Sequence, residues 1–177
     1  MIPTLETERL ILRAFSLSDA PALSQLAGHP DIAATTLNMP QPYTEADAKA
    51  FIESAQDNSK NHSFAIVRKS DQQLLGGMGI HPDMRHQHAE LGYWIGVPYW
   101  NQGYASETAR RIVAYGFEDL KLRRIYAGYF TQNIASRRVM EKVGMTYEGT
   151  LRQHYERFGN FYDVGYLSIL RSEWESA

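Results

Sequence analysis

Residues Trp94–Glu107 read W-I-G-V-P-Y-W-N-Q-G-Y-A-S-E, and their reading decides the fold. They begin inside Ala89–Val97 (AELGYWIGV), whose aliphatic and aromatic content suits a strand. From Ala105 onward, Ala105, Ala109, Ile112, Val113, Gly116, Phe117 and Leu120 fall at helical spacing and form one apolar stripe. Gly96, Pro98 and Gly103 interrupt both patterns. The stretch is therefore a strand-to-helix loop that closes on small residues where the helix starts. Such a start leaves backbone N–H groups bare and aimed at one spot, at the positive end of the helix dipole. That spot suits a phosphate, although a glycine there also suits an ordinary turn.

Working outward, Arg124–Phe130 (RIYAGYF) is the next strand, and a strand–helix–strand unit of this length implies a parallel pair with a right-handed crossover. Upstream, Arg9–Phe15 is a strand. Ser18-Asp19 opens a helix carrying Leu23 and Leu26, which Gly28 and Pro30 end. His29–Pro42 reads as irregular. Thr44 with Asp47 caps a helix running to about Asn58. His62–Arg68 and Leu74–Ile80 form a hairpin around Ser70-Asp71-Gln72, and a polar turn over His81–Gln87 leads into the opening strand. Downstream, Asn133 caps a helix with Ala135, Val139 and Val143 inside and Gly144 at its end. Thr146–Arg152 and Phe161–Ile169 are closing strands around Gly159-Asn160, with His154–Arg157 read as irregular. This order predicts an α/β protein with a mixed sheet. An antiparallel N-terminal meander leads to a central parallel pair, with helices on both faces and one domain over 1–177.

Composition narrows the function. The chain has 177 residues, 44% apolar and 21% charged, and a net charge of −2, so nothing attracts nucleic acid or an anionic membrane in bulk. It has no cysteine, which removes disulfides, thiol nucleophiles and zinc–cysteine sites and fits a cytoplasmic protein. No basic start with an apolar run suggests a signal peptide, and no apolar stretch is long enough to span a bilayer. His81, His86 and His88 straddle a turn with few acids beside them, so they read as surface residues and not as a metal site.

Five motifs in order resemble the Gcn5-related N-acetyltransferase family, and most closely its branch that acetylates ribosomal-protein N-termini. They are L-E-T-E-R-L-I-L-R (Leu5–Arg13), E-L-G-Y-W-I (Glu90–Ile95), Y-W-N-Q-G-Y-A-S-E (Tyr99–Glu107), N-x-x-S-x-x-x-x-E-K-x-G (Asn133–Gly144) and G-x-x-x-D (Gly159–Asp163) followed by Tyr166 and Leu167. The resemblance implies a splayed central strand pair that holds acetyl-CoA as co-substrate, with no metal. The acceptor is then a primary amine, first of all on a protein N-terminus and alternatively on a small molecule; a non-catalytic acyl-CoA-binding sensor is the alternative from another class, against which Glu90, Asn133 and Ser136 argue. The family forms monomers and homodimers, and the sequence does not choose.

The resemblance also assigns residues. Backbone N–H groups from Gln102 through Gly103, Tyr104 and Ala105 to Ser106 would hold the pyrophosphate, with Trp100 and Asn101 beside them. Trp100 stands where the wider family has Gln or Arg, so the grip is expected to rest on backbone. An N–H near Ile95 or Val97 would polarise the thioester carbonyl. Asn133 would bond the pantetheine arm, Ser136 would return a proton to the thiolate, and Arg137 or Arg138 would meet the nucleotide phosphates. Glu90 is the candidate general base, with Glu156 as its competitor; each also reads as a solvated carboxylate. By alternation Glu90, Gly92 and Trp94 share one face of their strand, and Leu91, Tyr93 and Ile95 the other. Trp94, Tyr99, Trp100 and Tyr104 are candidates for the acceptor pocket or for core.

Overall fold

The computed structural model describes residues 2–56 and 61–176. One mixed sheet of eight strands runs in the order β1-β2-β3-β4-β5-β6-β8-β7. The strands are β1 (Leu5–Glu6), β2 (Leu10–Ala14), β3 (His62–Arg68), β4 (Leu74–Asp83), β5 (His88–Ile95), β6 (Arg124–Phe130), β7 (Thr146–Arg157) and β8 (Asn160–Leu170). The helices are α1 (Ala20–Ala27), α2 (Pro30–Thr35), α3 (Glu45–Gln56), α4 (Tyr104–Glu118), α5 (Ile134–Lys142) and the short α6 (Arg171–Trp174). β5 and β6 form the one parallel pair among the described strands, and every other pairing is antiparallel. No described helix is long and apolar enough to cross a membrane.

Each face of the sheet buries its own core. α4 sets Ala109, Ile112, Val113 and Phe117 against Leu91, Ile95, Ile125 and Leu167. On the opposite face α1 and α3 set Leu23, Ala48 and Ile52 against Phe15, Ala65 and Val67. The amphipathic stripe read for α4 is thus its buried side, and burial of this apolar area is what fixes the helix on the sheet.

The structure corrects several boundaries. Pro30 starts α2 inside the stretch read as irregular: it occupies the first turn, where its missing N–H has no role, and the His29 ring accepts from Asp31 N at 3.2 Å as the cap. Thr44 and Asp47 exchange the expected cap bonds, Thr44 N to Asp47 Oδ2 at 2.7 Å and Asp47 N to Thr44 Oγ1 at 3.2 Å. The expected continuation of that helix to Asn58 lies outside the described residues. β4 pairs with β5 out to Asp83↔His88, so the turn read over 81–87 shrinks to its end. β5 stops at Ile95, and Val97 belongs to a single 3-10 turn, Val97–Tyr99, that Pro98 favours. The stretch His154–Arg157 is strand, paired through Tyr155↔Tyr162 and Glu156↔Phe161. A ladder irregularity after Leu151, where Gln153 takes φ 48 and donates to Asp163 Oδ1 at 2.7 Å, hides its period.

Candidate active site

The parallel pair is short. β5 and β6 pair only at His88↔Arg124, Ala89↔Ile125 and Glu90↔Tyr126. Beyond that point β5 keeps β4 on its outer side through Ile95, and β6 keeps β8 through Phe130. The inner edges of both strands therefore diverge without a ladder between them. Gly96 N donates to Leu75 O at 2.8 Å, on the β4 side, so by alternation the Ile95 peptide faces the gap. A cleft of about 940 Å³ opens there. It takes Leu91, Tyr93 and Ile95 from the α4 side of the sheet and Glu90, Gly92 and Trp94 from the α1–α3 side, so it passes through the sheet from one face to the other.

At the α4 end the loop delivers what its composition promised. Gly103 is the N-cap of α4 with φ 82 and ψ 0, a left-handed conformation that an L side chain adopts only with strain. The first backbone bond of the helix is Glu107 N to Gly103 O at 3.0 Å, which leaves the N–H groups of Tyr104, Ala105 and Ser106 outside the helical ladder. Among the described residues no side chain caps them. They point along the dipole of a 15-residue helix into the cleft that Tyr104, Ala105 and Ser106 line.

The loop is braced from the start of the chain. Glu107 accepts from Thr7 Oγ1 at 2.6 Å, Arg9 N at 2.9 Å and Arg9 Nε at 2.7 Å. The Arg9 guanidinium also donates to Gln102 O at 3.1 Å and lies 4.5 Å from the centre of the Tyr104 ring. Burial pushes the Glu107 carboxyl up, but the bonds from Thr7 and Arg9 outweigh it and hold the group below its ordinary range. Trp100 Nε1 donates to Ile95 O at 2.5 Å, so the indole pins the loop to the end of β5.

α5 supplies the other wall. Asn133 is its N-cap, and Oδ1 accepts from Ser136 N at 3.1 Å. The Ser136 hydroxyl lies 2.9 Å from Tyr93 Oη, which also donates to Ser136 O at 2.9 Å. Tyr93 and Ser136 thus join β5 to α5 across the α4 side of the cleft. Burial pushes the Tyr93 phenol above its ordinary range, against a smaller opposing effect of the Ser136 bond, and keeps it protonated.

Glu90 sits at the fork, half-buried, where the pairing of β5 with β6 ends. Burial raises its carboxyl above the usual range. No hydrogen bond from another described side chain reaches it. Its charge acts on Tyr126 and Tyr166, and His81 stands directly across on β4.

The cleft brings together Glu90, Ile95, Trp100, Asn101, Gly103, Tyr104, Ala105, Ser106, Asn133 and Ser136 of the residues chosen from sequence, together with Trp94 and Tyr99. Four others lie outside its lining. Val97 is turned into the 3-10 turn, and Gln102 folds its amide back to Pro98 O at 3.1 Å. Arg137 pairs with Glu141 at 2.8 Å and stacks 5.4 Å from the Tyr147 ring centre, while its neighbour Arg138 reaches the cleft. Glu156 is exposed and accepts from Gly159 N at 2.6 Å, closing the β7–β8 turn. Sequence reading missed Tyr93 and His81 as cleft residues, although alternation placed Tyr93 beside Ile95.

Comparison with known proteins agrees with this geometry. A family model described as an acetyltransferase (GNAT) domain matches residues 9–146. A Bacillus subtilis (strain 168) protein named as an uncharacterized N-acetyltransferase, YoaA, is 34% identical over 174 residues, covering 97% of this chain and 98% of its own. A crystal structure of a GNAT-family acetyltransferase from Bacillus anthracis is 30% identical, with a TM-score of 0.87, and covers 97% of this chain and 100% of that one. The spermidine N-acetyltransferase of Vibrio cholerae, solved with CoA and spermine, shares the fold at 22% identity, with a TM-score of 0.83 over 96% of this chain and 99% of that one.

Proposed function

Because the chain belongs to the Gcn5-related N-acetyltransferase family and is an N-acetyltransferase, we propose that it uses acetyl-CoA as acyl donor and a primary amine as acceptor, with direct transfer between them. The single observation that carries this reading is the fork itself: β5 and β6 part at Glu90 and Tyr126, with bare helix-start N–H groups at one end of the opening and Ser136 on its wall.

The residues fit the co-substrate. The N–H groups of Gly103, Tyr104, Ala105 and Ser106 offer donors to the pyrophosphate, with Asn101 and Trp100 beside them, and no metal is needed. Arg138 and Lys142 offer charge to the remaining phosphate. The gap-facing Ile95 peptide and the β5 edge offer backbone partners to the pantetheine amides, and its N–H is the donor for the thioester oxygen. Acetyl-CoA supplies the activated acetyl group. The amine nitrogen bonds to the acetyl carbon, the carbon–sulfur bond breaks, and the sulfur leaves as thiolate. Glu90 takes the proton that the amine loses, and the Ser136 hydroxyl, held by Tyr93, donates to the leaving sulfur. Glu90 is preferred over Glu156 because it lines the cleft, whereas Glu156 is spent on the β7–β8 turn.

The acceptor we propose is the α-amine of a protein N-terminus, in keeping with the ribosomal-type motifs at Leu5–Arg13 and Glu90–Ile95. A small amine is the second reading, favoured by the segment Thr36–Pro40 that lines the acceptor half of the cleft. The test follows thiol release. Glu90→Gln is expected to lower kcat by about 10²–10⁴, the range for a positioned proton acceptor, with acetyl-CoA binding near normal. The ionised carboxylate is the active form, so wild-type kcat should climb as pH rises through the raised Glu90 value, and the Gln variant should lack that limb. An unchanged kcat removes Glu90 from the role.

A further inference from the structure

We infer that the acceptor carries its amine next to a bulky, uncharged, apolar group, such as an aromatic or branched side chain, and not next to a second cationic centre. The inference rests on the proposed acetyl transfer and concerns the half of the cleft on the α1–α3 side.

That half is walled by Phe15, Ile32, Leu37, Met39, Tyr43 and Trp94. These come from just past the end of β2, the stretch Ile32–Tyr43 and β5, so the wall is assembled from three separate parts of the chain. The floor is left bare at Gly92, where an added Cβ would have its nearest neighbour, the His81 ring, 4.0 Å away. The open volume over Gly92 lies next to Glu90 on the same face of β5, which places an amine at the carboxylate and its substituent against the wall.

Charge points the same way. Among the described residues the acidic groups lining this half are Glu90 and Asp47. Asp47 stands on the first turn of α3 and not on β5, and its Oδ2 takes hydrogen bonds from Thr44 N at 2.7 Å and Thr44 Oγ1 at 2.6 Å. One carboxylate at the fork serves one amine. A second ammonium would find Asp47 as its one other acid and otherwise rings and methyl groups, which offset its desolvation only in part.

The wall is also held in place. The buried Arg157 guanidinium, on β7, donates to Leu37 O and, at 2.6 Å, to Met39 O. A pocket whose wall is tied down before the acceptor arrives selects by shape more sharply than a loose loop does.

The test uses the whole protein with saturating acetyl-CoA and follows free thiol. The acceptors are phenylalanine amide, leucine amide, glycine amide and spermidine. The phenylalanine and leucine amides should exceed glycine amide in kcat/KM by roughly ten- to a hundredfold, the factor that burial of such a side chain carries. Spermidine should fall below glycine amide. Met39→Glu, which sets a second carboxylate on the wall, should raise spermidine turnover relative to leucine amide. Spermidine equal to or better than the apolar amides in the wild type overturns the inference and leaves acetyl transfer standing. Thiol release with none of the four but with polar or acidic N-terminal peptides overturns this inference alone, whereas thiol release with no amine of either kind, while acetyl-CoA still binds, overturns the proposed transfer with it.

Discussion

Replacing Gly103 by alanine separates two jobs that one glycine performs. Its φ of 82 lies in the left-handed region, where an L residue costs about 1–2 kcal/mol. Alanine also stiffens the unfolded chain, which returns about 0.4–1 kcal/mol. The net loss of stability should be about 1 kcal/mol, a fall of roughly 2–4 °C in Tm for a chain of this size. Gly159 provides the control. It has φ 76 and nothing within 4 Å of an added Cβ, so Gly159→Ala carries the backbone cost alone. At Gly103 the new methyl would stand 3.4 Å from Arg9 Nη2, one residue before the bare N–H of Tyr104. Losing one charge-assisted bond to a phosphate costs about 1.5–3 kcal/mol, so the Kd for acetyl-CoA should weaken by roughly ten- to a hundredfold. Melting curves with and without acetyl-CoA, together with calorimetric titration, read both effects. Both variants should lose similar stability, and only Gly103→Ala should lose affinity. If Gly103→Ala melts like Gly159→Ala but binds acetyl-CoA as the wild type does, the phosphate does not sit at this helix start, and the glycine serves the turn alone.

Other outcomes follow from the same contacts. Ser136→Ala and Tyr93→Phe should each lower kcat with little change in acetyl-CoA affinity, and the double variant should be hardly worse than the poorer single one, because the two hydroxyls act as one unit; additive losses in a rate-constant cycle would separate them. Arg157→Lys should partly rescue Arg157→Ala, which strips the Leu37 and Met39 carbonyls of their donor; the Ala variant should raise KM for the amine several-fold while KM for acetyl-CoA stays put. Glu148 is held down to about 2, chiefly by its bonds from Arg124 at 2.5 Å. The contribution of a depressed carboxylate is complete above its unfolded value near 4.5 and disappears as pH falls toward 2. Since its side chain is 41% exposed, solvent screening limits the pair to about 1 kcal/mol or less. Glu148→Gln should therefore lower Tm slightly at pH 7 and flatten its decline between pH 4.5 and 2, as an acid series of melts would register.

The parts legible in sequence were those with a strong local period. The α4 stripe, the β5 alternation and the glycine at the loop's end are each decided by neighbours within a few positions, and they located the α4 side of the cleft. The α2 helix was missed because Pro30 reads as a stop, although proline at a first helical turn loses nothing. The end of β7 was missed because most of T-L-R-Q-H-Y-E-R is exposed, with only Tyr155 and Arg157 turned inward, so the ladder with β8 and not an apolar pattern makes it a strand. The Tyr93–Ser136 pair joins residues 43 apart, and Arg157 meets Leu37 across 120. Contacts of that range have no local period to betray them. The same holds for Arg137 and Arg138: both were visible as charges on α5, but only packing decides which one turns to Glu141 and which to the cleft.

The bond between Arg9 and Glu107 spans 98 positions, and this separation has a bearing on how the protein acquires its activity. A contact of such length must wait until the intervening chain has been organised, since the entropy of closing a large loop is lost before the contact rewards it. The helix start proposed to receive phosphate is therefore framed only once the beginning of the chain has come back to it. Acetyl-CoA should recognise the completed fold and not a half-assembled one. Its presence during refolding should raise the yield of native protein by mass action, while leaving the early, locally encoded helices indifferent to it.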